Sequence, residues 1–456
     1  MNRLDWTAWG FITVIVAVLL GVYLTGSHIS LNVNLKGSDA QNILQVGPQG
    51  PLEFSFSRPV RQDLLPALMQ ISPAAPGKIT WPDAQHAQFI PDQPFQPTQQ
   101  YSVTLQKGAW GTNGEKISQD ITWKFTLRSP LIVYLSSDPN NSELWTVGIT
   151  GNDVPTQLTH TKGSVYDYAA SPNGEQVVYS VLNGQKGFDL WIIDRDGHNN
   201  HVLLNCGGDR CYSPDWSPDL SKIAYTRQSA GLSPTAPLGA PRPWLLDPNT
   251  GETSPLYSDP QKLGFGPVWS PDGQKIASWD GVNGGIRIYN LQTKNDVLVQ
   301  TQTGLVGSWS QDSREMYFTD IVESPSAALS KVFIANAAGG QSQQIFNGAG
   351  FASRFNFDVP LLSPKGDWLA VGVQSVSNSA TYQMWLVSSD ESQQQQITSD
   401  PDSTDLNYSW NNLGTGLLFQ KMPITTSGVS EADIWWLDRR QMQVVSKNAS
   451  VPAWLP

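Results

Sequence analysis

The chain has 456 residues, a net charge of -11, 15% charged and 39% hydrophobic residues. This excludes a generic nucleic-acid binder, since phosphate selects a basic surface, and equally a disordered chain or a polytopic membrane protein. Two Cys exclude a disulfide-dense scaffold and a multi-Cys zinc site, while 39 Gly, 32 Pro and 18 Trp point to an all-β chain rich in turns.

The first expected element is a membrane span. No Lys, Arg, Asp or Glu occurs from Trp6 to Leu35, and the apolar centre runs from Trp9 to Leu24. That is short for a span, but Trp6, Trp9 and Tyr23 sit at its ends as an aromatic belt would. Arg3 and the amino terminus precede it, which predicts a cytoplasmic tip and export of everything beyond. Residues 1–27 therefore read as a transmembrane signal-anchor, with cleavage after Thr25-Gly26-Ser27 as the alternative and a buried core helix as the plain one. No Cys follows the segment to take a lipid anchor. The expected address is the cell membrane, single-pass, with the C-terminal region periplasmic or at the cell surface.

His28 to Lys36 alternates strictly, so residues 28–44 read as either a stalk or a first sandwich strand. Residues 45–128 then carry short strand patterns separated by turn signals, which predicts a β-sandwich. The stretches Phe54–Val60, Ile71–Trp81, Phe89–Leu105 and Trp123–Leu127 resemble bacterial Ig-like domains of the SbsA type. That resemblance implies a spacer or adhesive module.

Residues 129–456 repeat. A strand ending in Trp-Ser is followed by a Ser-Pro-Asp-Gly turn, a short apolar strand and an aromatic strand. The turn recurs as Ser171-Pro-Asn-Gly174, Ser217-Pro-Asp-Leu220, Ser270-Pro-Asp-Gly273, Ser310-Gln-Asp-Ser313 and Ser363-Pro-Lys-Gly366. Pro presets φ, Asp or Asn bonds its own backbone, and Gly accepts positive φ. The aromatic strand recurs at Trp145, Trp191, Trp244, Tyr289, Phe333, Trp385 and Trp435, at the period of a four-stranded propeller blade. These residues resemble the WD40-like repeats of TolB-type β-propellers. Seven aromatic strands favour seven blades, although six is the usual number in that family. The first repeat starts at Leu131 without its own Trp-Ser strand, and Ser450–Pro456 matches the missing piece. The C-terminus is therefore expected to complete the first blade and close the ring, removing an open edge.

Strand order assigns the loops to two faces. The compact Ser-Pro-Asp-Gly turns occupy one. The insertions at 227–243, 321–330, 374–381 and 423–432, and the crossing holding Cys206 and Cys211, occupy the other. Loops on a rigid scaffold carry most binding residues. Arg227, Arg242 and Glu431 are the candidates there, chosen for their charge. Cys206 and Cys211 are spaced either for a loop-pinning disulfide or as a free thiol pair.

No nucleophile elbow, His-Glu-x-x-His motif or phosphate loop occurs. His198 and His201 read as a solvated hairpin rather than a metal pair, and Asp400, Asp402 and Asp405 as a polar loop rather than a Ca²⁺ site. No catalytic residue, metal or cofactor is assigned. The reading is a membrane-anchored, extracytoplasmic binding or scaffold protein. The resemblance implies an envelope or cell-surface protein partner, although a span and an Ig-like domain stand where TolB has its own N-terminal domain. The alternatives are a glycan-acting propeller enzyme using channel carboxylates, or a sensor of small ligands or cell-wall fragments.

Overall fold

The computed structural model describes residues 14–16, 30–47, 50–93, 95–96, 99–136, 138, 141–149, 153–233, 236–323, 328–346, 355–375, 381–424, 431–438 and 441–456. The expected span from Trp9 to Leu24 lies outside these, apart from three helical residues, Val14 to Val16. Among the described residues no helix is long and apolar enough to cross a membrane. The chain divides into two units, Met1–Arg128 and Ser129–Pro456.

The first unit is a two-sheet sandwich. One sheet runs Val33–Leu35, Leu52–Phe56, His86–Pro91, Gly77–Thr80, and the other Ile43–Val46, Ile121–Leu127, Tyr101–Leu105, Met69–Ser72. Period-two alternation turns Leu52, Phe54 and Phe56 inward from one sheet and Val103, Leu105, Trp123 and Phe125 from the other. Phe54 meets Trp123 edge-on at 6.0 Å. Of the two readings of residues 28–44, the stalk gives way. Val33–Leu35 pairs with Leu52–Phe56, and Leu31, Leu35 and Leu44 are buried in the sandwich core.

The second unit consists of antiparallel sheets in meander order, four strands to a blade, except that in one blade the first strand is split into Phe355–Phe357 and Leu361–Leu362. Six of the sheets follow the chain from Val165 to Ser446, and one β-bridge joins the first two of these into a single sheet. The remaining sheet pairs Leu131–Ser136 with Leu144–Gly148 on one side and the C-terminal strand Ala449–Leu455 on the other, with Ile132 opposite Trp454. The described residues therefore hold seven blades, numbered here from that one.

The repeated turn is the local rule that builds each blade. Ser270 Oγ donates to Asp272 Oδ1 at 2.6 Å and accepts from the Lys275 amide at 2.9 Å, and Gly273 sits at φ 67. Ser171, Ser217, Ser310 and Ser363 form the same hydroxyl-centred turn. A second rule joins blades. Four of the Trp residues that close first strands donate their indole N–H to a carbonyl of the preceding first strand, Trp216 to Ala169, Trp309 to Val268, Trp410 to Leu361 and Trp454 to Ser409, all at 3.1 to 3.4 Å, while the Trp269 indole N–H is buried without an acceptor. First-strand Trp thus packs at the blade junctions, and at four of them it also bonds across.

Candidate functional site

Strands that alternate in direction send the second-to-third loops and the blade crossings to one face. Among the described residues of the second unit, most large apolar side chains left exposed fall at that face. They are Tyr166, Leu182, Leu232, Phe265, Val282, Leu305, Ile424 and Val451. Val154 is exposed at the opposite face, and Val202 and Met442 on outer strands. This makes that face the candidate for contact with a partner.

The best-defined part of this face lies at the second and third blades. Phe188, opening the third strand of blade two, is bridged to Arg210, opening the first strand of blade three. Tyr166 stacks on Phe188 at 4.8 Å, Tyr212 approaches Tyr166 edge-on at 6.0 Å, and the Arg210 guanidinium lies 5.4 Å from the Phe188 ring centre. Cys206 and Cys211 form a disulfide that clips the crossing carrying Arg210. The Phe188 amide donates to the Asp209 carbonyl at 3.0 Å, so the loop is held against the blade beneath it.

The residues chosen by charge sit on this face but are engaged within the protein. Arg227 Nε donates to Asp209 at 2.8 Å, with its guanidinium over Trp244. Arg242 donates to the Asp259 carbonyl at 3.2 Å and faces Arg227 across the strand pair. Glu431 is exposed. The neighbouring loop residues 425–430, together with 324–327 and 376–380, lie outside the described residues. Sequence reading missed Tyr166, Phe188, Arg210 and Tyr212, because only strand pairing across two blades brings them together.

Several enclosed carboxyls lie on or beside first strands. Burial pushes Asp167 up to about 6, against hydrogen bonds from Ser180 Oγ and the Ser213 amide. Burial pushes Asp215 up to about 7, against the Trp269 amide at 2.7 Å. Asp405 is raised by burial and accepts from Thr398 Oγ1. Each receives a hydrogen bond from its own or an adjacent blade, which is a structural use of the carboxyl. Asp400 pairs with Lys421 at 2.9 Å. His198 pairs with Asp196 in an exposed turn, and no cluster of metal-ligating side chains occurs among the described residues.

Residues 176–456 match the family model described as the TolB beta propeller domain. The chain is 27% identical over 210 residues to the Tol-Pal system protein TolB of Francisella tularensis subsp. mediasiatica (strain FSC147), covering 39% of this chain and 46% of that protein. It thus spans just under half the length of that curated relative. Among solved structures, a puromycin-hydrolyzing peptidase of Mycobacterium tuberculosis superposes with a TM-score of 0.52 at 14% identity, over 71% of this chain and 53% of that one. A prolyl endopeptidase superposes with a TM-score of 0.51 at 15% identity, over 71% and 49%. At such identity the likeness is one of fold alone. With the family model covering most of the repeats and the blades built by the rules above, the chain belongs to the TolB beta propeller domain family.

Proposed function

We propose that this protein is an extracytoplasmic scaffold that binds an envelope protein partner through the propeller face carrying the crossings. The observation that carries the reading is the concentration of exposed apolar side chains on that face. Aromatic and Arg anchors at its second and third blades are the residue types that dominate protein–protein affinity. The curated relative's name, Tol-Pal system protein, supports an envelope setting. In this reading the N-terminal apolar segment anchors the chain in the membrane, and the sandwich, an Ig-like module, is the spacer. The ring is closed by the C-terminal strand. The Trp454 indole bond to Ser409 in blade seven supports closure, as do the Tyr168 hydroxyl bond to Val133 and the Arg195 bond to the Pro456 carbonyl.

The test compares partner capture by the full chain, in its native envelope, with capture by two substituted chains. A Phe265→Asp, Leu305→Asp double variant should lose the captured protein. A Val154→Asp variant, altered on the opposite face, should keep it. Equal capture by both, or fractionation of the full chain away from membranes, contradicts the face or the anchor respectively.

A further inference from the structure

Arg210 has no counter-charge, whereas Arg227 on the same face has Asp209, and Arg242, also without a carboxylate, donates to the Tyr257 and Asp259 carbonyls. The Arg210 Nε is buried without an acceptor, and no carboxylate among the described residues pairs with it. The carboxylates around it are already taken. Asp209 accepts from Arg227 Nε and the Ala230 amide, at 2.8 and 2.9 Å. Asp189 Oδ1 accepts from Asn183 and the Cys206 amide, at 2.9 and 2.8 Å. Asp167 accepts from Ser180 and the Ser213 amide. In a chain of net charge -11 this leaves a cation on an apolar rim with its complement missing.

We propose that the cluster of Arg210, Phe188, Tyr166 and Tyr212 is the anchor for an acidic segment of the protein partner, whose carboxylate pairs with Arg210 while an adjacent apolar side chain packs on Tyr166. This rests on the protein-binding reading above and adds the chemistry of the partner. A guanidinium stacked on an aromatic ring keeps its in-plane N–H groups for an acceptor, and a carboxylate matches that fork. The Cys206–Cys211 disulfide and the Phe188–Arg210 bridge hold the group in place before binding, which lowers the ordering cost of association. Tyr166, about half exposed, offers a rigid apolar surface with a polar tip beside the charge.

The test pans a random dodecapeptide display library on the full chain. Selected peptides should be enriched in Asp or Glu beside an aromatic or Pro residue. A synthetic copy should bind Arg210→Gln about tenfold more weakly, the loss expected for one charge-assisted pair. Replacing the peptide's acid by its amide should cost the same, and the two losses should not add. Tyr166→Ala, altered at an exposed side chain, should also weaken binding, and Val154→Ser should not. Unchanged melting of each variant separates these losses from misfolding.

Selected peptides without an acid, no selected peptide at all, or undiminished binding to Arg210→Gln would overturn the proposal. So would binding of an oligogalacturonate in an Arg210-dependent manner with no peptide selected, which would give the cluster to a glycan. If no acidic peptide is selected while Phe265→Asp, Leu305→Asp still loses its envelope partner, the carboxylate anchor fails and the protein-binding face stands.

Discussion

Lys294 occupies a backbone position that Gly251 fills in the blade before it. In the turns Asp247–Glu252 and Asn290–Asn295 alike, the amides of the third and fourth residues donate to the side-chain oxygen of the first. Both put the fifth residue in the left-handed region, Gly251 at φ 73 and Lys294 at φ 61. A side chain there costs about 1 kcal/mol, and Lys294 is exposed. Lys294→Gly is therefore expected to raise unfolding stability by about 1 kcal/mol in denaturant titration. A second residue-scale effect concerns pH. Asp167 and Asp215 are raised from the ordinary 3.8 to about 6 and about 7 by burial. The unfolded chain releases these protons near pH 4, and the folded chain releases them only near 6 and 7. The folded state thus holds more protons across that interval, and stability falls as pH rises through it. Asp215→Asn removes one of these charges while keeping an acceptor for the Trp269 amide. It should flatten the decline between pH 5 and 8 and stabilise the protein at pH 8, on the order of 2 kcal/mol. At this scale the sequence was misleading about Arg227, a candidate for its charge alone. Its partner Asp209 lies 18 positions away, joined only by strand register.

Among elements, the crossing between blades two and three shows how a short covalent clip serves a surface. The disulfide closes a loop of 5 residues' separation. By the chain-entropy relation, removing it with Cys206→Ser, Cys211→Ser should lower stability by about 2 kcal/mol, measured by thermal or chemical unfolding. The same variant should loosen the loop that carries Arg210, seen as faster amide exchange at Gly208 to Arg210. The spacing of the two Cys favoured the bridge without excluding a thiol pair, since proximity in sequence does not fix side-chain direction. The alternating segment from His28 to Lys36 had a similar ambiguity. Alternation marks a half-buried strand, and only pairing with Leu52–Phe56 decides that it joins the sandwich. The recurring turn was legible in full, because its hydroxyl, amide and glycine requirements are met within six residues.

At the scale of the molecule, the C-terminal strand is the element with the largest reach. Ala449–Leu455 pairs with Leu131–Ser136, while Trp454 bonds blade seven and Leu455 is fully buried beside blade two. Deleting residues 451–456 should lower the melting temperature of the whole propeller by well over 5 °C, taking roughly 2 °C per kcal/mol for a large unit. A truncated chain that melts like the full one would contradict ring closure. By itself the sequence determined the all-β class, the repeat, the blade period and the need for a borrowed strand, because these follow from local turn chemistry and from a pattern that repeats. It also named the loop-rich face, since antiparallel strand order fixes which loops share a side. Only the tertiary structure decided which residues on that face are available. Hydrogen bonds to residues of the blade crossings engage Arg227 and Arg242, and strand register leaves Arg210 among aromatics without an acid.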